Sequence, residues 1–136
     1  MTQPHAFVVD DDENLGQAFK MALELCGFKV TQITDSTQAL AQIIAHKPDV
    51  VLLDMQMPML SGAEVLQTIR ATPEVAHTKV IVASANHLML DHAIQDMANL
   101  VLQKPVSLSQ IIDFARRMVK SPPASNSSTV DPAAST

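Results

Sequence analysis

Five side chains in this sequence could do metal and phosphate chemistry together: Asp10 and Asp11 in "VVDDDEN", Asp54 in "VVLLDMQMP", Ser84 in "VIVASAN" and Lys104 in "LVLQKPV". Each ends or closely follows a short apolar run. Two unit charges about 4 Å apart repel by roughly 4 kcal/mol at an effective dielectric near 20, so three carboxylates brought together demand a counter-charge. A divalent cation supplies it. Oxygen ligands with no Cys or His at suitable spacing favour Mg2+, which keeps several waters and is completed by phosphate oxygens. A hydroxyl and an ammonium are the groups that a phosphoryl group requires on its other oxygens. The remaining acids of the first cluster, Asp12 and Glu13, suit a helix start, Asp12 as N-cap and both favoured by the helix dipole.

These residues converge only if the chain folds so that the apolar runs lie side by side. The runs "AFVV", "KVTQI", "DVVLL", "KVIVA" and "LVL" are each followed by a longer segment with helical spacing. In the first helix the apolar stripe reads Leu15, Ala18, Phe19, Ala22, Leu25 and Cys26, with Gly27 at the C′ position. The last helix repeats the pattern with Leu108, Ile111, Ile112, Ala115 and Val119. Ser61 with Glu64 and Ser107 with Gln110 match the capping box. Strict alternation of strand and helix implies right-handed βαβ units and a parallel sheet covered on both faces, the fold class α/β. The uniformly apolar "VVLL" and "VIV" suit strands buried on both sides. Ligands in such sheets collect at the carboxyl ends of the strands, near a topological switch point, which is where the five side chains fall.

The bulk properties bound the function. At 136 residues and 47% hydrophobic the chain fits one domain with a buried core. A net charge of −5 leaves no basic patch for nucleic acid, and four Phe without Trp or Tyr cannot build a base-stacking platform. Lone Cys26 forms no internal disulfide and reads as a small buried residue, as expected of a cytoplasmic protein. The apolar runs are too short to insert in a membrane, and no charged-then-apolar leader opens the chain. Residues 121–136, "SPPASNSSTVDPAAST", hold ten Ser, Thr or Pro and read as a disordered tail or linker, so the folded domain is expected over 4–120.

With four motifs in order over about residues 4–120, the sequence resembles the receiver domain of two-component response regulators, including the single-domain chemotaxis regulators. "VVDDDEN" resembles the family's acidic pair, "LLDMQMPMLSG" its phosphoacceptor segment, "VIVASA" its Ser/Thr switch strand and "LQKP" its Lys-Pro signature. The resemblance implies a flavodoxin-like doubly wound (βα)5 fold with strand order 2-1-3-4-5. It implies that Asp54 accepts a phosphoryl group from a sensor histidine kinase or histidine phosphotransfer protein, with Mg2+ held by Asp11, by Asp10 through water, by Asp54 and by the Gln56 carbonyl. Lys104 and Ser84 would bind the phosphoryl oxygens, Ser84 as the switch, with a cis bond before Pro105 aiming the lysine. Gln56 and Asn86 would modulate the phosphorylated lifetime. Such a domain is no enzyme beyond its own phosphorylation and dephosphorylation, and it signals by switching binding to a downstream protein. No effector module is recognisable after residue 120.

Departures from the family pattern fall on the usual output face. Val101 stands where many members carry Tyr or Phe as a rotating switch, Met97-Ala98 where Gly-Ala is common, and Val106 where Phe is common. Ser61 replaces a frequent Asp and caps a helix about as well.

Other readings of the same residues are weaker. An EF-hand begun at Asp10 puts Leu15 where Gly is required and Met21 where the bidentate Glu belongs. A haloacid-dehalogenase-like phosphatase could use Asp10 and Asp12 as nucleophile and acid, but Asp113 alone cannot supply its second acidic pair and Asp54 goes unexplained. A receiver-like scaffold that binds partners without phosphorylation is the remaining alternative. Met55, Met57 and Met59 read as loop packing, His87 and His92 have the wrong spacing for a zinc pair, and His5, His46 and His77 read as exposed residues near element ends.

Overall fold

Residues 3–57, 61–85 and 92–120 are described in the computed structural model, the side chains of 118–120 excepted. The elements are β1 (His5–Val9), α1 (Glu13–Leu25), β2 (Lys29–Ile33), α2 (Ser36–His46), β3 (Val50–Asp54), α3 (Gly62–Ala71), β4 (Lys79–Ser84), α4 (His92–Met97), β5 (Leu100–Gln103) and α5 (Leu108–Lys120). The apolar runs of β1, β3 and β4 form strands buried on both faces, whereas the edge strands β2 and β5 are only partly covered. The expectations for Met59, Asn86, His87, the Val119 side chain and residues 121–136 fall outside the described residues.

All strand pairs are parallel, in the order β2-β1-β3-β4-β5. β3 is buried throughout and β4 from Val80 onward, as their uniform apolarity implied. One core layer lies under α2, α3 and α4 and contains Phe7, Val9, Leu53, Leu66 and Ile69. The other lies under α1 and α5 and contains Val8, Phe19, Leu23, Leu52 and Ile111. Alternate residues of β1 and β3 thus feed opposite layers, as a strand's two-residue period requires. The chain reverses direction across the sheet between β1 and β3, so the switch point lies between Asp10 and Asp54.

The strand starts are pinned at the other edge. Asp49 donates its N–H to the His5 carbonyl at 2.8 Å and takes the His5 N–H on Oδ2, also at 2.8 Å, while its own carbonyl accepts from Lys79 N at 3.1 Å. Asn99 does the same for β4 and β5, donating its N–H to the Val80 carbonyl at 2.9 Å and accepting Val80 N–H on Oδ1 at 2.8 Å. Arg70, from the last turn of α3, reaches this edge as well. Its guanidinium donates to the carbonyls of Met97, Ala76 and Thr78 and to Asn99 Oδ1, tying α3 to the end of α4 and to the starts of β4 and β5. The Met97 contact also sets a cation at the C-terminal end of α4, where the helix dipole is negative.

Caps follow the sequence in part. Asp12 caps α1 by accepting Leu15 N–H at 3.1 Å, and Ser61 caps α3 by accepting Glu64 N–H at 3.2 Å. At Ser107 the carbonyl takes the Gln110 N–H, and the hydroxyl instead meets Ser109 Oγ at 2.7 Å. α1 ends in a Schellman turn: Gly27, at φ 95°, donates to the Glu24 carbonyl and Phe28 to the Leu23 carbonyl.

Three expectations need correction. Leu25 is 81% exposed, and the buried residue of that turn is Leu23, which stands four after Phe19 and so on its face. Leu108 is also exposed, because it opens α5 before the helix settles against α1. His5 is half-buried, bonding Thr31 Oγ1 at 2.9 Å and packing edge-on against Phe7. Cys26 is partly covered against the α1 and α5 layer. Among the described residues no helix is long and apolar enough to cross a membrane.

Candidate functional site

Asp10 directly follows β1, Asp54 is the last residue of β3, Ser84 the last of β4, and Lys104 directly follows β5. Because the four strands are parallel neighbours, these residues arrive at one edge. Asp10, Asp11 and Asp54 each bring a carboxylate oxygen to within 4.8 Å of the others. Asp10 and Asp54 are buried, whereas Asp11 is exposed. Two carboxylates are thus sunk in the strand ends and a third lies across their mouth.

Donors hold the two buried acids in place. Asp10 Oδ1 accepts the Asp12 N–H at 2.9 Å. Asp54 Oδ1 accepts from Lys104 Nζ at 3.0 Å and from the Gln56 N–H at 3.0 Å, so two donors from different segments fix the rotation of one carboxylate. Lys104 is itself set by its backbone, whose N–H donates to the Ser84 carbonyl at 2.8 Å; the Lys104–Pro105 bond is cis. Burial pushes the Asp10 carboxyl up to about 6, and the charge of Asp54 adds to the rise, against the lowering effects of the Asp12 N–H and Lys104. One ammonium against three carboxylates leaves the pocket short of positive charge. An all-oxygen set open to solvent through Asp11 fits a hard divalent cation such as Mg2+.

The approach of α3 keeps this edge tight. A Cβ on Gly62, the first residue of α3, would lie 2.7 Å from Met55 Sδ, 2.8 Å from Met55 Cα and 2.9 Å from the Asp54 carbonyl oxygen. Only glycine lets the helix start this close to the Asp54–Met55 backbone. Met55 and Met57 turn toward the core, in keeping with a packing role.

Gln56 occupies an unforeseen position. Its backbone serves Asp54, while its side chain crosses to β4: Nε2 donates to Ser84 Oγ at 3.1 Å and Oε1 accepts the Ala85 N–H at 3.0 Å. Sequence reasoning picked out Gln56 for its place two after Asp54 but had no signal for a contact spanning 28 residues. Val101 packs partly buried against the α2, α3 and α4 layer, in register with Val82. Asp12, exposed and spent on its cap, does not join the carboxylate group.

A sequence model for the response regulator receiver domain matches residues 6–116. The chain belongs to that family. Among curated proteins this receiver is 32% identical to the C4-dicarboxylate transport transcriptional regulatory protein DctD of Rhizobium meliloti, over 84% of its own chain and 25% of that protein. It is 30% identical to the transcriptional regulatory protein PrrA of Mycobacterium tuberculosis, over 88% of its own chain and 52% of that protein. The receiver thus spans about a quarter to a half of the curated relatives it matches. A receiver domain of Clostridium thermocellum superimposes with a TM-score of 0.71 at 32% identity, covering 86% of this chain and 97% of that one. A CheY-like receiver domain of Methylobacillus flagellatus gives 0.78 at 23% identity, covering 86% and 99%, and shares the fold. The α/β sheet order and the family read from the motifs are those observed, and a receiver is a signalling domain rather than a classical enzyme.

Proposed function

We propose that this receiver takes a phosphoryl group onto Asp54 from the phosphohistidine of a sensor histidine kinase or histidine phosphotransfer protein, and thereby changes its binding to a downstream protein. The observation that carries this reading is the convergence of Asp10, Asp11 and Asp54 within 4.8 Å, with Lys104 at 3.0 Å from the acceptor carboxylate. In the transfer, a carboxylate oxygen of Asp54 forms the new O–P bond as the donor's N–P bond breaks, the bonding pair returning to the imidazole nitrogen. Little covalent machinery is needed, and the protein's part is positioning and charge neutralisation. Asp10, Asp11, Asp54 and the Gln56 carbonyl would hold Mg2+, which supplies positive charge against the oxygens of the transferring group. Lys104 keeps the acceptor oriented and then faces the acyl phosphate. Ser84, at the end of the adjacent strand, offers its hydroxyl to a phosphoryl oxygen and so couples the chemistry to β4. Gln56 and Asn86 adjust how fast water removes the group. Val101, partly buried against the α2, α3 and α4 layer, stands in place of an aromatic switch.

The same reading assigns the folded domain to 4–120, residues 121–136 to a tail or linker, and the protein to the cytoplasm. Incubation with a phosphohistidine donor or acetyl phosphate tests it: one phosphoryl group per chain is expected, dependent on Mg2+ and lost in Asp54→Ala. A wild-type protein that never labels means a scaffold instead, and continuous hydrolysis of phosphomonoesters means a phosphatase.

A further inference from the structure

The contacts of the Gln56 side chain point to a further role for that residue. Its amide is oriented unambiguously, because the Ala85 backbone N–H is a donor and can be met only by Oε1; Nε2 must then be the atom on Ser84. In this arrangement Ser84 Oγ accepts a hydrogen bond from Gln56. A phosphoryl oxygen has no proton to give, so Ser84 would have to donate to it. The Ala85 N–H, which leaves the end of β4 beside the site, is a second donor that an anionic oxygen could use, and Gln56 Oε1 covers it. The Gln56 backbone N–H meanwhile rests on Asp54 Oδ1 at 3.0 Å, so one residue touches both the acceptor and the groups that would greet its phosphoryl oxygens.

We propose that the Gln56 carboxamide is an internal stand-in for the phosphoryl group: it bridges Ser84 Oγ and the Ala85 N–H in the unphosphorylated receiver, and it must release the Ala85 N–H before a phosphoryl oxygen can take that donor, while the Ser84 hydroxyl can donate without giving up its lone pairs. The proposal rests on Asp54 being the acceptor. It differs from an effect on hydrolysis, since it concerns how readily the phosphorylated state forms. Gln56 is a positioning residue in this sense: it sets the reference state against which phosphoryl binding competes. A charged phosphoryl oxygen is the stronger hydrogen-bond acceptor and wins the exchange, but the displaced contact subtracts from its hold. Gln56 is exposed, which keeps the subtraction modest.

The test uses the full chain with Mg2+ and beryllium fluoride, a non-covalent mimic of a phosphoryl group on a carboxylate, followed through the Ala85 amide resonance. Gln56→Ala removes the carboxamide, and Gln56→Met keeps its length without donor or acceptor. Both variants are expected to saturate at a roughly three- to tenfold lower concentration than wild type, the worth of about one net hydrogen bond. The Ala85 N–H of the unliganded variants is also expected to exchange with solvent faster than in wild type. Equal midpoints in all three proteins overturn the stand-in, as does a lower midpoint in Gln56→Ala alone, which would make bulk the cause. If wild type saturates and labels on Asp54 while the midpoints coincide, only the stand-in fails. If wild type neither saturates nor labels, the acceptor assignment fails with it.

Discussion

Lys104 Nζ and the Gln56 N–H meet on the same oxygen of Asp54, each at 3.0 Å, so this carboxylate is clamped from the end of β5 and from its own loop at once. Removing the lysine leaves a buried carboxylate beside Asp10 with one donor fewer. Lys104→Met is expected to cost about 1–2 kcal/mol at neutral pH without divalent ions, below the full range for buried pairs because the lysine side chain is 23% exposed. Added Mg2+ should restore most of that loss in urea titrations, whereas labelling of Asp54 should stay at least about tenfold slower.

Asp10 gives the opposite sign. Its carboxyl titrates near 6 in the folded protein against an ordinary 3.8, so between these values the folded state holds more protons than the unfolded one. The stability tied to that proton is fully present below pH 3.8 and is lost as pH rises through about 6. Asp10→Asn keeps an acceptor for the Asp12 N–H and removes the charge. In chelator at pH 7.5 it should be more stable than wild type by about 1–2 kcal/mol, the difference fading toward pH 4. It should also lose the stabilisation that Mg2+ gives wild type, which denaturation with and without the ion would reveal.

Gly62 carries a steric requirement rather than an electrostatic one. Its missing Cβ would meet backbone atoms of both Asp54 and Met55 at less than 3.0 Å, and backbone cannot swing aside. Gly62→Ala is expected to lower stability by about 1–3 kcal/mol in thermal or urea unfolding, despite alanine's better helix propensity. Labelling of Asp54 should slow in the same variant, because α3 can relieve the clash only by shifting the loop that carries Gln56.

The acids and the lysine were legible because each sits at the end of an apolar run, and in a parallel sheet such ends share an edge. Their order along the chain also matches a family pattern. Leu25 was misassigned because spacing by three or four allows both it and Leu23 after earlier members of the stripe, and only packing against α5 decides between them. The Gln56 and Arg70 contacts were not legible at all. Both are polar side chains that each reach backbone groups as well as one distant side chain, and a backbone carbonyl or N–H leaves no mark in the residue types. The Ser107 hydroxyl fell between these cases, since its motif fits a capping box but Ser109 offers a rival partner.

Arg70 should reveal its role far from the site. Arg70→Lys keeps the charge but cannot reproduce a planar fork directed at four acceptors. A stability loss of about 1–3 kcal/mol is expected, with faster amide exchange in α4 and β5 and little change in β1 and β3. Labelling of Asp54 should persist, since no Arg70 contact touches the carboxylates.

The bonds of Asp49 and Asn99 at the strand starts make the strands behave as rulers of one length. Five positions separate His5 from Asp10, Asp49 from Asp54, Lys79 from Ser84 and Asn99 from Lys104. The chemistry at one edge is therefore measured out from hydrogen bonds tied at the other. A residue inserted within any of these strands would move its terminal side chain by a full step and turn it to the opposite face. The intervening loops can change in length and leave the same four groups in place.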